Sequence, residues 1–93
     1  MSNELRLDID KETAKGQYSN LAVISHTPTE FFIDFALAQP QGVAQIVARI
    51  ITNPPHAKAL ARSLLENIRK YEDQFGEIPE MPQPPGLPQG PQA

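Results

Sequence analysis

The sequence predicts an α+β protein: an antiparallel β-meander of about four strands followed by one long amphipathic helix packed on one sheet face. Three observations carry this reading. Residues 31–52 hold two apolar runs joined by a short Gln/Pro/Gly link, the pattern of a β-hairpin. Residues 55–75 place apolar side chains at helical spacing between a Pro-Pro pair and a glycine, the start and stop signals of a helix. Near the N-terminus apolar and charged residues alternate, as in a strand with one wet face.

Taking the elements in order, Leu5, Leu7 and Ile9 alternate with Arg6, Asp8 and Asp10. Charges on one face suit an edge strand, because they discourage pairing with other chains. Residues 11–17 are polar with one glycine and read as a loop. The β-rich run Leu21-Ala22-Val23-Ile24, within Tyr18 to Ser25, is flanked by turn residues and reads as a second strand. Thr27-Pro28-Thr29-Glu30 puts proline where a type I turn uses its fixed φ, so His26 falls in a turn and a third strand starts near Phe31.

A turn centred on Gln41–Gly42 pairs Phe32 with Ile51, Asp34 with Arg49 and Ala36 with Val47 on one face. The other face pairs Ile33 with Ile50, Phe35 with Ala48 and Leu37 with Ile46. One face is wholly apolar; the other surrounds a single opposite-charge pair with large apolar groups. Val43, Ile46, Val47, Ile50 and Ile51 also fit a helical stripe, so periodicity alone leaves residues 43–52 open between strand and helix. The density of β-branched residues, the registry with residues 32–37 and the short link favour the strand. Pro40 fits the two-residue turn poorly because it has no N–H to donate; a type I turn with Gly42 in the left-handed region is the alternative, and it shifts the pairing by one.

After Thr52-Asn53, Pro54 is expected outside the helix and Pro55 at its first position, with Asn53 or Thr52 as cap. Ala57, Leu60, Ala61, Leu64, Ile68, Tyr71 and Phe75 then fall within an arc of roughly 100°. Lys58, Arg62, Glu66, Arg69 and Asp73 lie opposite, and Gly76 supplies the stop. Such a helix is about 31 Å long, close to the span of a nine-residue strand. The expected packing sets Leu64 and Ile68 over Ile33, Phe35 and Ile50. Residues 1–78 thus form a single small domain. Residues 79–93 are a Pro/Gln/Gly-rich tail expected to be disordered, in which Pro79, Pro82, Pro85, Pro88 and Pro91 recur every third residue. In a polyproline II helix these five would make one ridge, a possible motif for a partner's aromatic groove.

Composition narrows the function. In 93 residues only one small core is available, a size at which oligomerisation is a common remedy. The net charge of −3 is spread thinly, which argues against nucleic acid or an anionic membrane as partner. There is no cysteine, hence no disulfide framework or thiolate chemistry, and neither a leader nor a long apolar run is evident. A soluble cytoplasmic protein is expected. His26 and His56 are the only histidines and stand in no metal-ligand spacing. Glu30 and Asp34 would lie about 13 Å apart along a strand, too far for a carboxylate pair. The serines and glycines match no nucleophile elbow, phosphate loop or dinucleotide fingerprint. No catalytic residue, cofactor or metal is expected.

Several spacings carry a resemblance: Tyr18-x-Asn20, Glu30-Phe31-x-x-Asp34-Phe35, Arg49-Ile50-x-x-x-Pro54-x-His56-Ala57-Lys58 and Asn67-Ile68-x-x-Tyr71-Glu72-x-x-Phe75-Gly76. Together they resemble the pattern of a family of short uncharacterised bacterial and archaeal proteins, a domain of unknown function, over about residues 18–78. The resemblance implies a small stand-alone cytoplasmic protein and brings no catalytic residue with it. In topology alone, a four-stranded antiparallel sheet followed by a long helix is similar to the SecB export chaperone.

A sheet that is apolar on both faces needs two covers, and the chain supplies one helix. The expectation is a non-enzymatic scaffold or protein-interaction module that self-associates, as a homodimer or higher even oligomer, through Phe32, Asp34, Val47, Arg49 and Ile51. A chaperone-like client binder is the alternative, and a small dimeric nucleic-acid-binding regulator a weaker one. Because the tail holds almost nothing apolar beyond Met81 and Leu87, removing residues 79–93 should leave the melting temperature within about a degree of the parent. Thermal unfolding of the truncated chain measures this, and a clear loss would make the tail a structural strap.

Overall fold

The computed structural model describes residues 4–81. Its elements are a short helix α1 (Lys11–Ala14), strands β1 (Leu21–His26), β2 (Phe31–Ala38) and β3 (Ala44–Thr52), and a long helix α2 (Pro54–Phe75). The strands form one antiparallel sheet in the order β1-β2-β3. The architecture is therefore α+β, with three strands where about four were expected. Residues 4–10 form no strand, and Leu5, Leu7 and Ile9 are exposed. Alternation is necessary for a half-buried strand, but strand geometry is held by a hydrogen-bonded neighbour, and this segment has none in the sheet. The fourth strand on which the topological similarity to SecB rested is absent among the described residues.

The polar segment expected to be a loop begins instead with α1. Asp10 caps it, accepting from the backbone N–H groups of Glu12 and Thr13, both at 3.1 Å, while Thr13 Oγ1 donates to Asp10 Oδ1 at 2.6 Å. Asn20 then fastens the sheet: its side-chain oxygen accepts from the Ala38 N–H at 2.8 Å and its own N–H donates to the Ala36 carbonyl at 3.1 Å. In the β1–β2 turn, Thr27 Oγ1 accepts from the Thr29 and Glu30 N–H groups, and the Thr27 N–H donates to the Glu30 carbonyl. His26 ends β1 rather than lying in the turn, and its ring stacks on Phe31 with centroids 5.4 Å apart.

Strand geometry wins at residues 44–52, and the β2–β3 hairpin follows the expected register in its distal half. Phe32 opposes Ile51, Ile33 opposes Ile50, Asp34 opposes Arg49 and Phe35 opposes Ala48. Beyond Phe35 the register slips: Ala36 faces Ile46 and Leu37 faces Gln45, so the expected Ala36–Val47 and Leu37–Ile46 pairs do not form. Val47 is the extra residue of a β-bulge. The cause lies in the link. Gln39 accepts from the Gly42 N–H and donates to the Val43 carbonyl, and Gly42 has φ +83. Pro40 thereby sits where its fixed φ fits and Gly42 takes the left-handed position; the bulge restores the face pattern on the distal side.

Helix α2 starts one residue earlier than expected, with Pro54 and Pro55 both in its first turn, where neither missing N–H is needed. Asn53 Oδ1 accepts from the His56 N–H at 2.8 Å, and Thr52 Oγ1 lies 2.6 Å from His56 Nδ1. At the other end Gly76, at φ +101, donates to the Glu72 carbonyl, and Glu72 Oε2 accepts from the Ile78 N–H. The expected seating of α2 on the chain's own sheet does not occur: no residue of α2 is buried, and Leu64 is 59% exposed. The Cα radius of gyration is 16.1 Å, against about 12 Å for a compact chain of this length. The only buried apolar side chains among the described residues are Ile33 and Ala36, in the central strand.

With so little packing, local devices carry the helix start. Asn53→Ala should cost about 0.5–2 kcal/mol and reduce the helical circular dichroism signal, whereas Asn53→Asp keeps an acceptor and should retain most of the stability. Urea unfolding followed at the helical band measures both; equal midpoints for Ala and Asp would remove the cap from the account.

Candidate functional site

Strand alternation and the observed register sort the sheet side chains into two faces. On the first, Val23, Asp34 and Arg49 lie in one cross-strand row, flanked by Ser25, Phe32 and Ile51 on one side and by Leu21, Ala36 and Ile46 on the other. On the second, Ile24, Ile33 and Ile50 form a row of three isoleucines, flanked by Ala22, Phe35 and Ala48 and by His26, Phe31 and Thr52. They are called here the ion-pair face and the isoleucine face.

The ion pair is two-pronged. Arg49 Nε donates to Asp34 Oδ1 at 2.7 Å and its Nη2 donates to Oδ2 at 2.9 Å, the geometry for which a guanidinium fork is preorganised. Asp34 is only 8% exposed, while the Arg49 side chain is 56% exposed. The guanidinium carbon also lies 5.6 Å from the centroid of the Phe32 ring, a cation–π arrangement. The hydrogen bonds from Arg49 hold the Asp34 carboxyl below the usual carboxylate range, against the opposing effect of burial, and Asp34 in turn raises Arg49. The pair is ionised at neutral pH and offers neither a proton donor nor a free base.

Of the residues expected to form a self-association face, Phe32, Asp34, Arg49 and Ile51 come together on the ion-pair face. Val47 does not join them as a paired residue, because the bulge displaces it and gives its place beside Ala36 to Ile46. No periodicity signal marks a bulge, although Pro40 next to Gly42 signalled the longer turn behind it. Ile46 and Ile51 are both about half exposed, at 53% and 52%, on this face. On the isoleucine face, Ile24 and Ile50 are exposed at 47% and 48%, whereas Ile33 between them is buried.

Among the described residues no group of three His, Asp or Glu side chains converges as a metal site, and an open depression lined by Glu12, Thr13, Gly16 and Gln17 lies beside α1. His56 is engaged with Thr52 at the helix start. No helix among them is long and apolar enough to cross a membrane. In the proline series, Pro79 is exposed and outside any helix or strand, while Pro82, Pro85, Pro88 and Pro91 lie outside the described residues.

Several residues of the quoted spacings hold the elements together. Asn20 ties β1 to β2, Asp34 and Arg49 lock β2 to β3, and Pro54 with His56 builds the joint into α2. The family described as protein of unknown function (DUF3467) matches residues 1–80. The chain belongs to this family. Neither the curated proteins nor the solved structures contain a match to it. The expected membership of an uncharacterised family is therefore correct, and the match covers residues 1–80 where the resemblance was read over about 18–78.

Asp34 gives a pH test with a defined sign. A carboxyl whose pKa is lower in the folded than in the unfolded state stabilises the fold above its unfolded value, near 3.9, and loses that contribution as pH falls through the folded value. The difference in urea midpoint between the parent and Asp34→Asn should therefore be constant from neutral pH down to about 5 and close progressively below about 4. A difference that persisted unchanged to about pH 2.5 would show that the carboxylate's charge is not what matters.

Proposed function

We propose that this protein is a non-enzymatic, self-associating protein-interaction module whose working form is a homodimer or a higher even oligomer. One observation carries the reading: beyond Ile33 and Ala36 the described chain buries no apolar side chain, yet both sheet faces and a helix stripe are apolar. Each side chain of Leu or Ile size left in water forgoes about 1.5–3 kcal/mol, and a fold with so little core needs further burial to be stable. A second copy supplies it at no cost in new sequence, since a two-fold pair buries the same patch twice. Phe32, Asp34, Arg49, Ile46 and Ile51 then form the self-association surface, with the ion pair closed off from water at its centre.

A chaperone-like client binder is the second reading. It is favoured by the same apolar faces if one stays open after assembly, since an extended unfolded segment binds such a surface. Suppression of a model substrate's aggregation by the assembled protein would support it, and no suppression at equal concentration would remove it.

Self-association is read from mass and from the ion pair together. Light scattering at micromolar concentration should give at least twice the 10.3 kDa chain mass. A closed-off pair leaves an uncompensated charge when one partner is removed, so Arg49→Ala should weaken the assembly roughly tenfold or more, Lys58→Ala hardly at all, and Asp34→Ala combined with Arg49→Ala should recover part of the loss. A monomeric parent overturns the proposal. Small additive effects in an oligomeric parent would move the interface off the ion-pair face.

A further inference from the structure

We infer that α2 of each copy seats on the isoleucine face of a second copy, so that two chains exchange their helices. This rests on the self-association proposed above and adds to it which element meets which face.

The joint between β3 and α2 is the first reason. A single residue, Asn53, separates Thr52 at the end of β3 from Pro54 at the start of α2. Asn53 is extended, at φ −87 and ψ 160, and both following residues are prolines with φ fixed near −65°. The Asn53–His56 cap and the Thr52–His56 contact pin what freedom is left. A helix laid back along its own sheet would require the chain to reverse within that residue, at the expense of the cap. The helix instead leaves the sheet unburied along its whole length. A short, stiff hinge that holds an element away from its own domain is the setting in which identical elements are exchanged between copies.

The surfaces match in chemistry and size. The stripe of Leu60, Leu64, Ile68, Tyr71 and Phe75 carries no charge, and the Tyr71 and Phe75 rings lie against each other with centroids 4.9 Å apart. The isoleucine face likewise carries no acidic residue, Lys or Arg in its three cross-strand rows. The ion-pair face has Asp34 and Arg49 at its centre, and so is the poorer seat for an uncharged stripe. In the row Ala22–Phe35–Ala48 a large side chain stands between two small ones, which leaves a furrow on each side for helix side chains. The 22 residues of α2 span about 33 Å, and the nine of β3 about 30 Å. Tyr71 and Phe75 alone carry roughly 150–250 Å² each. With three aliphatic side chains and their counterparts on the sheet, one exchanged helix approaches the roughly 800 Å² per partner of a stable interface, and reciprocity doubles it.

The chain has no cysteine, so introduced pairs report proximity cleanly. One full-length version carries Leu64→Cys; a second, longer by a tag, carries Ile24→Cys, Ile33→Cys or Ile50→Cys. The two are unfolded together, refolded as a mixture and oxidised. Helix exchange predicts a disulfide-linked species of mixed size for at least one of the three pairings, and none from either version alone. Lengthening the hinge with a Gly-Ser insertion after Thr52 lets α2 fold back on its own sheet, and should abolish the mixed species, while the interface on the ion-pair face keeps the mass at twice that of the chain. If the parent has the mass of a dimer, yet no pairing gives a mixed species, the helix exchange is overturned while self-association stands. A parent of monomer mass overturns both.

Discussion

Both faces of a three-stranded sheet are wet unless something covers them, and here both are apolar. The constraint comes from β2, the central strand, whose alternate side chains are Phe31, Ile33, Phe35 and Leu37 on one side and Phe32, Asp34 and Ala36 on the other. A central strand of this composition suits a sheet buried on two sides. The strands to its left and right shelter it enough to bury Ile33, Asp34 and Ala36, but neither contributes a second layer. The exposed isoleucines of β1 and β3 and the bare helix stripe all reflect the same shortage of cover.

The joint at Asn53 decides how that shortage can be met. A flexible connection of several residues would let the helix close over its own sheet and give an ordinary two-layer domain. Two prolines in the first turn and a cap tied to the last strand make the helix direction a property of the joint rather than of packing. Under the proposed self-association a second copy supplies the cover, with a helix stripe and a sheet face of matching length and polarity. The ion pair has a different role. Its bidentate geometry fixes the β2–β3 register at the point where a slip by one residue would exchange the faces.

Much of this is legible in the sequence. Opposite charges at Asp34 and Arg49, with apolar residues matched on each side, set the distal register of the hairpin, and the pairing from Phe32 to Phe35 agrees with it. Asn53 and Gly76 mark both ends of α2 to within a residue. Other features misled for identifiable reasons. Leu5, Leu7 and Ile9 alternate without forming a strand, because alternation reports only which side chains could share a face. Val47 looked like a paired residue until the turn around Pro40 and Gly42 moved the proximal register by one. Residues 11–17 read as a loop because a helix of four residues leaves no periodicity to read, and Asp10, read as the charged side of a strand, turns out to cap α1.

The sequence by itself determined most of the local structure: the three strands between Leu21 and Thr52, the ends of the long helix to within a residue, and which charge meets which. Those properties depend on neighbours within a few residues or on a hairpin whose arms are close in sequence. Only the tertiary structure decided that the helix stands off its own sheet. That outcome turns on the torsion angles of one residue between a strand and two prolines, and hydrophobic patterning, which says how much surface must be covered, carries no direction.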